Sequence, residues 1–237
     1  MTAGLYESEA LLRQYLDFHF RGDAPGYLPH HPLPDGVLGY PRRCAEWLIQ
    51  HTTNLNRALD LGCAVGGGAF ALSARFNEVV GVDFSAAFVD AAETIRREGV
   101  FRRSEDPWTL PSDARKERVR FLRGDACDLP SDLGRFDGVL MANLLCRLPD
   151  PAACLRGLRN HVAPGTVLIF TTPCSWDVAF TPWEKWLTPT LEALHAHLDP
   201  WCELLETREM SFVIREHERK AQFTVAEGSA WRVKSGM

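Results

Sequence analysis

The stretch Asp60-Leu61-Gly62-Cys63-Ala64-Val65-Gly66-Gly67-Gly68 follows a short apolar run and opens an alanine-rich amphipathic one. That context predicts a strand-to-helix turn built for a nucleotide-like ligand. Glycines let the backbone turn tightly and approach a ligand with no Cβ in the way, and the following helix would present free N–H groups. A turn of this kind commits the flanking chain to an alternating α/β sheet.

The downstream pattern agrees. Strands are predicted over 57–61, 78–82, 119–123, 136–141 and 166–171. Helices are predicted over 66–75, 85–98 (capped by Ser85), 152–161 and 191–198. Residues 201–231 carry β-rich runs, which predicts two strands closing the sheet as an antiparallel pair. The fold class expected is α/β, a seven-stranded, mostly parallel sheet with an antiparallel last strand and helices on both faces.

Upstream, Leu11, Leu12, Tyr15, Leu16 and Phe20 recur at helical spacing after Ser8, a helix cap with Glu7 and Glu9 near its positive end. Residues 22–41 hold Pro25, Pro29, Pro32 and Pro34 and read as a covering loop. A second helix begins near Pro41. Residues 99–117 read as an exposed insertion, and 172–189 as a tryptophan-rich loop. A length of 237 residues suits one unit over 1–237, with a helical and loop cap over 1–56 and the sheet core over 57–237.

Composition narrows the partners. A net charge of −5 offers no electrostatic footprint for nucleic acid or an anionic membrane, so a small-molecule substrate is expected. The longest apolar run, near 162–170, is broken by Pro164 and Gly165 and is too short to span a bilayer. The first residues carry no basic, apolar leader, and a cytoplasmic setting is expected. Seven cysteines without a Cys-x-x-Cys pair disfavour zinc ribbons and redox dithiols, and no metal is expected.

The glycine turn alone leaves two cofactor classes open, because Gly62, Ala64 and Gly67 nearly satisfy a dinucleotide fingerprint. Three acids favour S-adenosyl-L-methionine. Asp60 precedes the first glycine, where a carboxylate faces a cationic amino-acid group but would repel a pyrophosphate. Asp83, with Phe84 beside it, ends the second strand and suits two ribose hydroxyls. Asp125 and Ala126, after the third main strand, suit an adenine edge. Gly62, Cys63, Ala64 and Gly66 would line the turn. All four tyrosines precede the turn, so the Tyr–Lys pair of short-chain dehydrogenases has no downstream counterpart. The order and spacing of these acids resemble the Rossmann-like class I S-adenosylmethionine-dependent methyltransferases.

Several strings resemble a narrower family, the methyltransferase domain of ovothiol biosynthesis, which methylates a ring nitrogen of 5-thiohistidine. They include Tyr6-Glu7-Ser8, Phe18-His19-Phe20, Pro41-Arg42-Arg43-Cys44-Ala45 and Asn143-Leu144-Leu145-Cys146-Arg147-Leu148-Pro149-Asp150-Pro151. They continue through Phe180-Thr181-Pro182, Phe212-Val213-Ile214-Arg215-Glu216-His217-Glu218-Arg219-Lys220 and Trp231-Arg232. The chain departs from the family at Gly67 and Gly68, where bulkier residues are expected, and at Cys174 and Ala221, where aromatics are expected. The resemblance implies an imidazole N-methyltransferase, with a sulfoxide synthase on another chain to form the C–S bond. The alternatives are a methyltransferase for plain histidine or a related thiol-imidazole, and a non-catalytic cofactor-binding partner.

Methyl transfer is an in-line displacement in which positioning does most of the work. Asn143, past the fourth main strand, would orient the ring or hold the cofactor's methionine portion. His19 would act as proton acceptor or ring partner. Arg147, with Arg215 or Arg219, would bind a substrate carboxylate through a guanidinium fork. Glu216 would take the substrate ammonium, and Tyr15 and Trp176 would wall the pocket.

Overall fold

A computed structural model describes residues 6–21, 27–30, 32–102 and 107–236. The elements in chain order are α1 (Glu9–Phe20), α2 (Tyr40–His51), β1 (Arg57–Leu61), α3 (Gly67–Ser73), β2 (Glu78–Asp83), α4 (Ala86–Glu98), β3 (Val100–Phe101), β4 (Trp108–Thr109) and β5 (Val119–Arg123). There follow β6 (Phe136–Ala142), α5 (Pro151–Leu158), β7 (Val162–Thr172), α6 (Thr190–Leu198), β8 (Cys202–His217) and β9 (Lys220–Val233).

Seven strands form one sheet in the order β5-β2-β1-β6-β7-β9-β8. Neighbours from β5 to β7 pair in parallel, and β9 runs antiparallel to both β7 and β8. The sheet is Rossmann-like, with the antiparallel closing strand expected from the sequence. Both faces are covered, which is why the central strands read as continuous apolar runs rather than alternating ones. On one face Ala58, Val79, Phe121, Leu140 and Ile169 pack under residues of α1 to α4. On the other, Leu59, Val80, Val139, Leu168 and Trp231 pack under α5 and α6.

Local chemistry sets the element boundaries. Ser8 caps α1 by accepting the Leu11 N–H, and Ser85 caps α4 by accepting that of Phe88. Glu7 does not serve α1. Its carboxylate accepts the Ala86 and Ala87 N–H groups at 2.9 and 3.1 Å, so it caps α4 across the fold. Asp150 accepts the Ala153 N–H at 2.8 Å and starts α5 just before Pro151. β7 is longer than expected and runs through Pro164 and Gly165, with a register shift opposite β6 between Phe136 and Gly138.

The expected exposed insertion over 99–117 is corrected in part. Its described residues form a short hairpin, β3 with β4, which buries Phe101 and Trp108. Trp108 Nε1 donates to Asp17 Oδ1 at 2.8 Å. A charged, proline-containing segment hid this because its two aromatics find their partners on α1. The expected covering loop over 22–41 lies partly outside the described residues. Within the described part, Tyr27 and Val37 pack on Val213. On α2, Trp47 Nε1 and His51 Nε2 both meet Glu206 Oε2, at 3.0 and 2.9 Å, tying the helix to β8. All seven cysteines are free, five of them buried, with Cys174 exposed. Among the described residues no helix is long and apolar enough to cross a membrane, and no cluster suited to a metal ion occurs.

Candidate active site

A cavity of about 400 Å³ opens at the carboxyl ends of β1, β2, β5 and β6, next to the switch point where strand order reverses. The turn after β1 forms its floor. Gly62 has φ +77, and a Cβ there would meet the Leu144 side chain at 2.8 Å. Its N–H and that of Cys63 both donate to Val82 O, while the Ala64 N–H donates to Asp83 Oδ2 at 2.8 Å. Gly62, Cys63 and Ala64 line the cavity. Gly66 does not. It turns the chain at φ +89, and a Cβ there would lie 2.6 Å from the Phe121 ring, so its need is packing rather than ligand contact.

The amino end of α3 is closed. The Gly67 N–H donates to His19 Nδ1 at 3.0 Å, and Ala69 N–H bonds to the Asp60 carboxylate. The free N–H groups expected from sequence are therefore taken by side chains, and no anion hole is left for a pyrophosphate. This also explains Gly67 and Gly68. A Cβ on Gly67 would lie 2.6 Å from His19 Nδ1 and 2.9 Å from His19 Cβ, and one on Gly68 would lie 2.8 Å from Asp60 Oδ2. Gly67→Ala must displace α1 from α3, and an expected loss of about 1–3 kcal/mol is read as a fall in urea midpoint at constant m. An unchanged midpoint would mean that α1 yields without cost.

His19 lines the cavity but does not suit proton uptake. Burial pushes its ring down to about 3, and the lone pair on Nδ1 already accepts a backbone N–H. The ring is neutral, with its proton on Nε2. The expectation of a proton acceptor is corrected on that ground.

Asp60 is 3% exposed, and its Oδ2 has no partner among the described residues. Burial raises the carboxyl to about 7, the Ala69 N–H opposes this, and the charge of Asp83 adds to it. An orphaned carboxylate oxygen on a cavity wall is a fit for the ammonium of an amino-acid moiety. Asp83 receives the Ala64 and Ser85 N–H groups, at 2.8 and 2.9 Å, on opposite oxygens, so its carboxylate is fixed at the rim of the turn. Asp125 accepts the Cys127 N–H at 2.8 Å through Oδ1, beside Ala126. Phe84 is 55% exposed at the cavity mouth, an aromatic face open to a flat ring.

Asn143 sits at φ +55, an uncommon conformation for a residue other than glycine. Its N–H bonds to Thr171 O, and its Oδ1 lies 3.0 Å from the Tyr40 hydroxyl and 3.1 Å from Thr171 Oγ1. Two hydroxyls on the oxygen leave the Nδ2 donors for the cavity. Arg147 also lines the cavity. Its Nη1 donates to Cys146 O at 3.0 Å and Ser175 O at 2.7 Å, and its guanidinium stands over the Phe180 ring at 5.0 Å. Tyr15 is on the same wall.

The other expected substrate residues lie elsewhere. Arg215 Nη2 meets Asp17 Oδ2 at 2.6 Å, and its guanidinium stands over Tyr27, because strand alternation turns Ile214, not Arg215, to the cavity. Glu216 pairs with Lys220 at 2.6 Å on the hairpin, and the exposed Arg219 approaches Glu218 at 3.9 Å. Trp176 stacks on Trp186 outside the cavity lining. Sequence reasoning assigned no role to Tyr6, Tyr40, Phe88 or Phe180, all of which line the cavity. For Tyr6 the signal was its place beside the cap Ser8; the others have no local signal.

A Rossmann-like sheet with acids at the ends of β1, β2 and β5 defines an S-adenosylmethionine-dependent methyltransferase of class I. Residues 59–170 match the family described as "Methyltransferase domain". The chain is 28% identical over 154 residues to the chloroplastic tocopherol O-methyltransferase of Arabidopsis thaliana, covering 62% of this chain and 40% of that enzyme's length. It is 26% identical over 188 residues to a demethylmenaquinone methyltransferase of Staphylococcus aureus, covering 76% of this chain and 70% of that one. Its fold is similar to that of magnesium protoporphyrin IX methyltransferase from Synechocystis with bound S-adenosylmethionine, with TM-score 0.60, 17% identity and coverage of 99% and 95%.

Proposed function

We propose that this enzyme methylates an imidazole ring nitrogen of 5-thiohistidine, the step of ovothiol biosynthesis that its sequence blocks resemble. When bound, S-adenosylmethionine supplies a methyl group on a positively charged sulfur. Asp60 would hold the ammonium of that ligand, and Asp83 its ribose hydroxyls. Asp125 and Ala126 would meet the adenine edge, and Phe84 would stack on its face. Gly62, Cys63 and Ala64 would let the chain approach closely, and Asn143 Nδ2 would orient the methionine portion or the acceptor ring.

The observation that supports this acceptor is Arg147, a cation on an otherwise apolar wall with no carboxylate partner among the described residues. An anionic, ring-bearing amino acid fits there. With His19 unavailable, the chemistry must run without a strong base, and a ring anion allows that. Its free nitrogen forms the N–C bond with its own lone pair, the pair of the broken S–C bond stays on the donor sulfur, and no proton leaves in that step. A cytoplasmic setting, where exposed thiols such as Cys174 stay reduced, and a sulfoxide synthase on a separate chain belong to this reading. Incubation with methyl-labelled S-adenosylmethionine and 5-thiohistidine is expected to give one N-methylated product by mass spectrometry and NMR. Absence of turnover, with the cofactor shown to be bound, would overturn the assignment.

A further inference from the structure

Tyr6 has no role in the reading above, yet it stands at the centre of the cavity's donor groups. It is placed there by its own segment: Ser85 Oγ donates to Tyr6 O at 3.0 Å, and the neighbouring Glu7 caps α4. Its ring packs against Tyr15, Phe88 and Phe180 at centroid distances of 6.2, 5.8 and 5.7 Å. The Tyr6 hydroxyl oxygen receives hydrogen bonds from the Tyr15 hydroxyl and from Arg147. An oxygen that accepts twice still carries its own proton, and that proton is left for the cavity. The wall therefore presents donors and one positive charge, with no accepting atom toward a ligand.

Its shape also selects. Arg147 Nη1 is turned to two backbone carbonyls, so its terminal pair of nitrogens does not form the open fork that a carboxylate grips with two oxygens. What remains, one side of the guanidinium beside one phenol, matches an anion centred on a single atom. Cys146 Sγ, 3.5 Å from Arg147 Nη1, and the Phe180 ring make the surroundings soft and apolar.

We infer that the Tyr6–Arg147 wall is a subsite for a single-atom anion conjugated to the acceptor ring, a thiolate, and that it directs methylation to ring nitrogen rather than to sulfur. This rests on the proposed acceptor. A thiolate is the stronger nucleophile toward a sulfonium, so an enzyme that methylates the ring nitrogen must occupy the sulfur lone pairs. A phenol proton and a guanidinium do so. The same positive charge favours the acceptor with its ring nitrogen unprotonated, which supplies the free lone pair without a base. Tyr15, which donates to Tyr6, is a positioning residue.

The test has a binding arm without the methyl donor and a product arm with it. By calorimetry, the wild-type protein is expected to bind 5-thiohistidine at least about tenfold more tightly than histidine, a charge-assisted hydrogen bond being the difference. Tyr6→Phe is expected to remove most of that preference while leaving histidine binding unchanged, and Arg147→Gln to do the same. Tyr15→Phe should have the smaller effect. In the product arm, Tyr6→Phe is expected to yield S-methylated thiohistidine where the wild type yields the N-methyl product alone. Equal weakening of both ligands by Arg147→Gln would mean that Arg147 holds the carboxylate, and a Tyr6→Phe enzyme that makes only N-methyl product would also overturn the inference. If 5-thiohistidine binds with the Tyr6-dependent preference but is not methylated, the subsite stands and the acceptor assignment falls. If it shows no preference over histidine, the subsite falls.

Discussion

Asp60→Asn is expected to weaken S-adenosylhomocysteine binding by about 10- to 100-fold, the worth of a charge-assisted hydrogen bond to an ammonium, and to flatten its pH dependence. In the ligand-free protein burial holds the carboxyl near 7, well above the ordinary 3.8. The sign follows from that direction. A raised acid stays protonated in the folded state while the unfolded chain has already ionised, so its contribution to stability falls as pH rises from about 4 to 7. A bound ammonium reverses the preference, so ligand binding below pH 7 must expel a proton. Affinity should therefore rise toward tenfold per pH unit up to about 7 and then level off. Calorimetric titrations from pH 5.5 to 8.5 read this directly, and an Asn variant with wild-type affinity and slope would remove Asp60 from the ligand's ammonium.

Asp83→Ala is expected to damage both fold and ligand site. Its two oxygens accept the N–H groups of Ala64 and Ser85, one from each of the turns that follow β1 and β2. Deleting the carboxylate leaves two donors without partners, at about 1–3 kcal/mol each where water cannot replace the acceptor. At about 2–4 °C per kcal/mol for a chain of this size, the melting temperature should fall by about 5–20 °C. Stabilisation by saturating S-adenosylhomocysteine, several degrees in the wild type, should disappear. A variant that melts lower but keeps the full ligand shift would make Asp83 a brace of the turns and nothing more.

The two turns also mark how far sequence could reach. Asp60, Asp83 and Asp125 were legible because each ends a strand, and strands of a parallel sheet bring their carboxyl ends to one edge whatever covers them. The alternation of strand and helix, the caps Ser8 and Ser85, and the antiparallel last strand were legible for the same reason: local pattern and short-range hydrogen bonding fix them. Arg215, Glu216 and Arg219 were misplaced because their roles depend on the register of the β8–β9 hairpin, and a one-residue shift in strand facing exchanges Ile214 for Arg215 on the cavity side. The hairpin β3–β4 was hidden because its stabilising partner, Asp17, is 91 residues away from Trp108.

The sequence by itself determined the sheet, the glycine turn and the three acids, since each depends on neighbours within a few residues. Tertiary structure alone decided what the turn offers a ligand. His19 and Asp60 come from other elements to occupy the first N–H groups of α3, which closes it to a pyrophosphate and leaves one buried carboxylate oxygen unpaired. It also assembled the opposite wall, where Tyr6 and Tyr15 from the amino-terminal segment meet Arg147 from beyond β6. Contacts between such distant positions rest on how helices pack over a finished sheet, and no spacing along the chain encodes them.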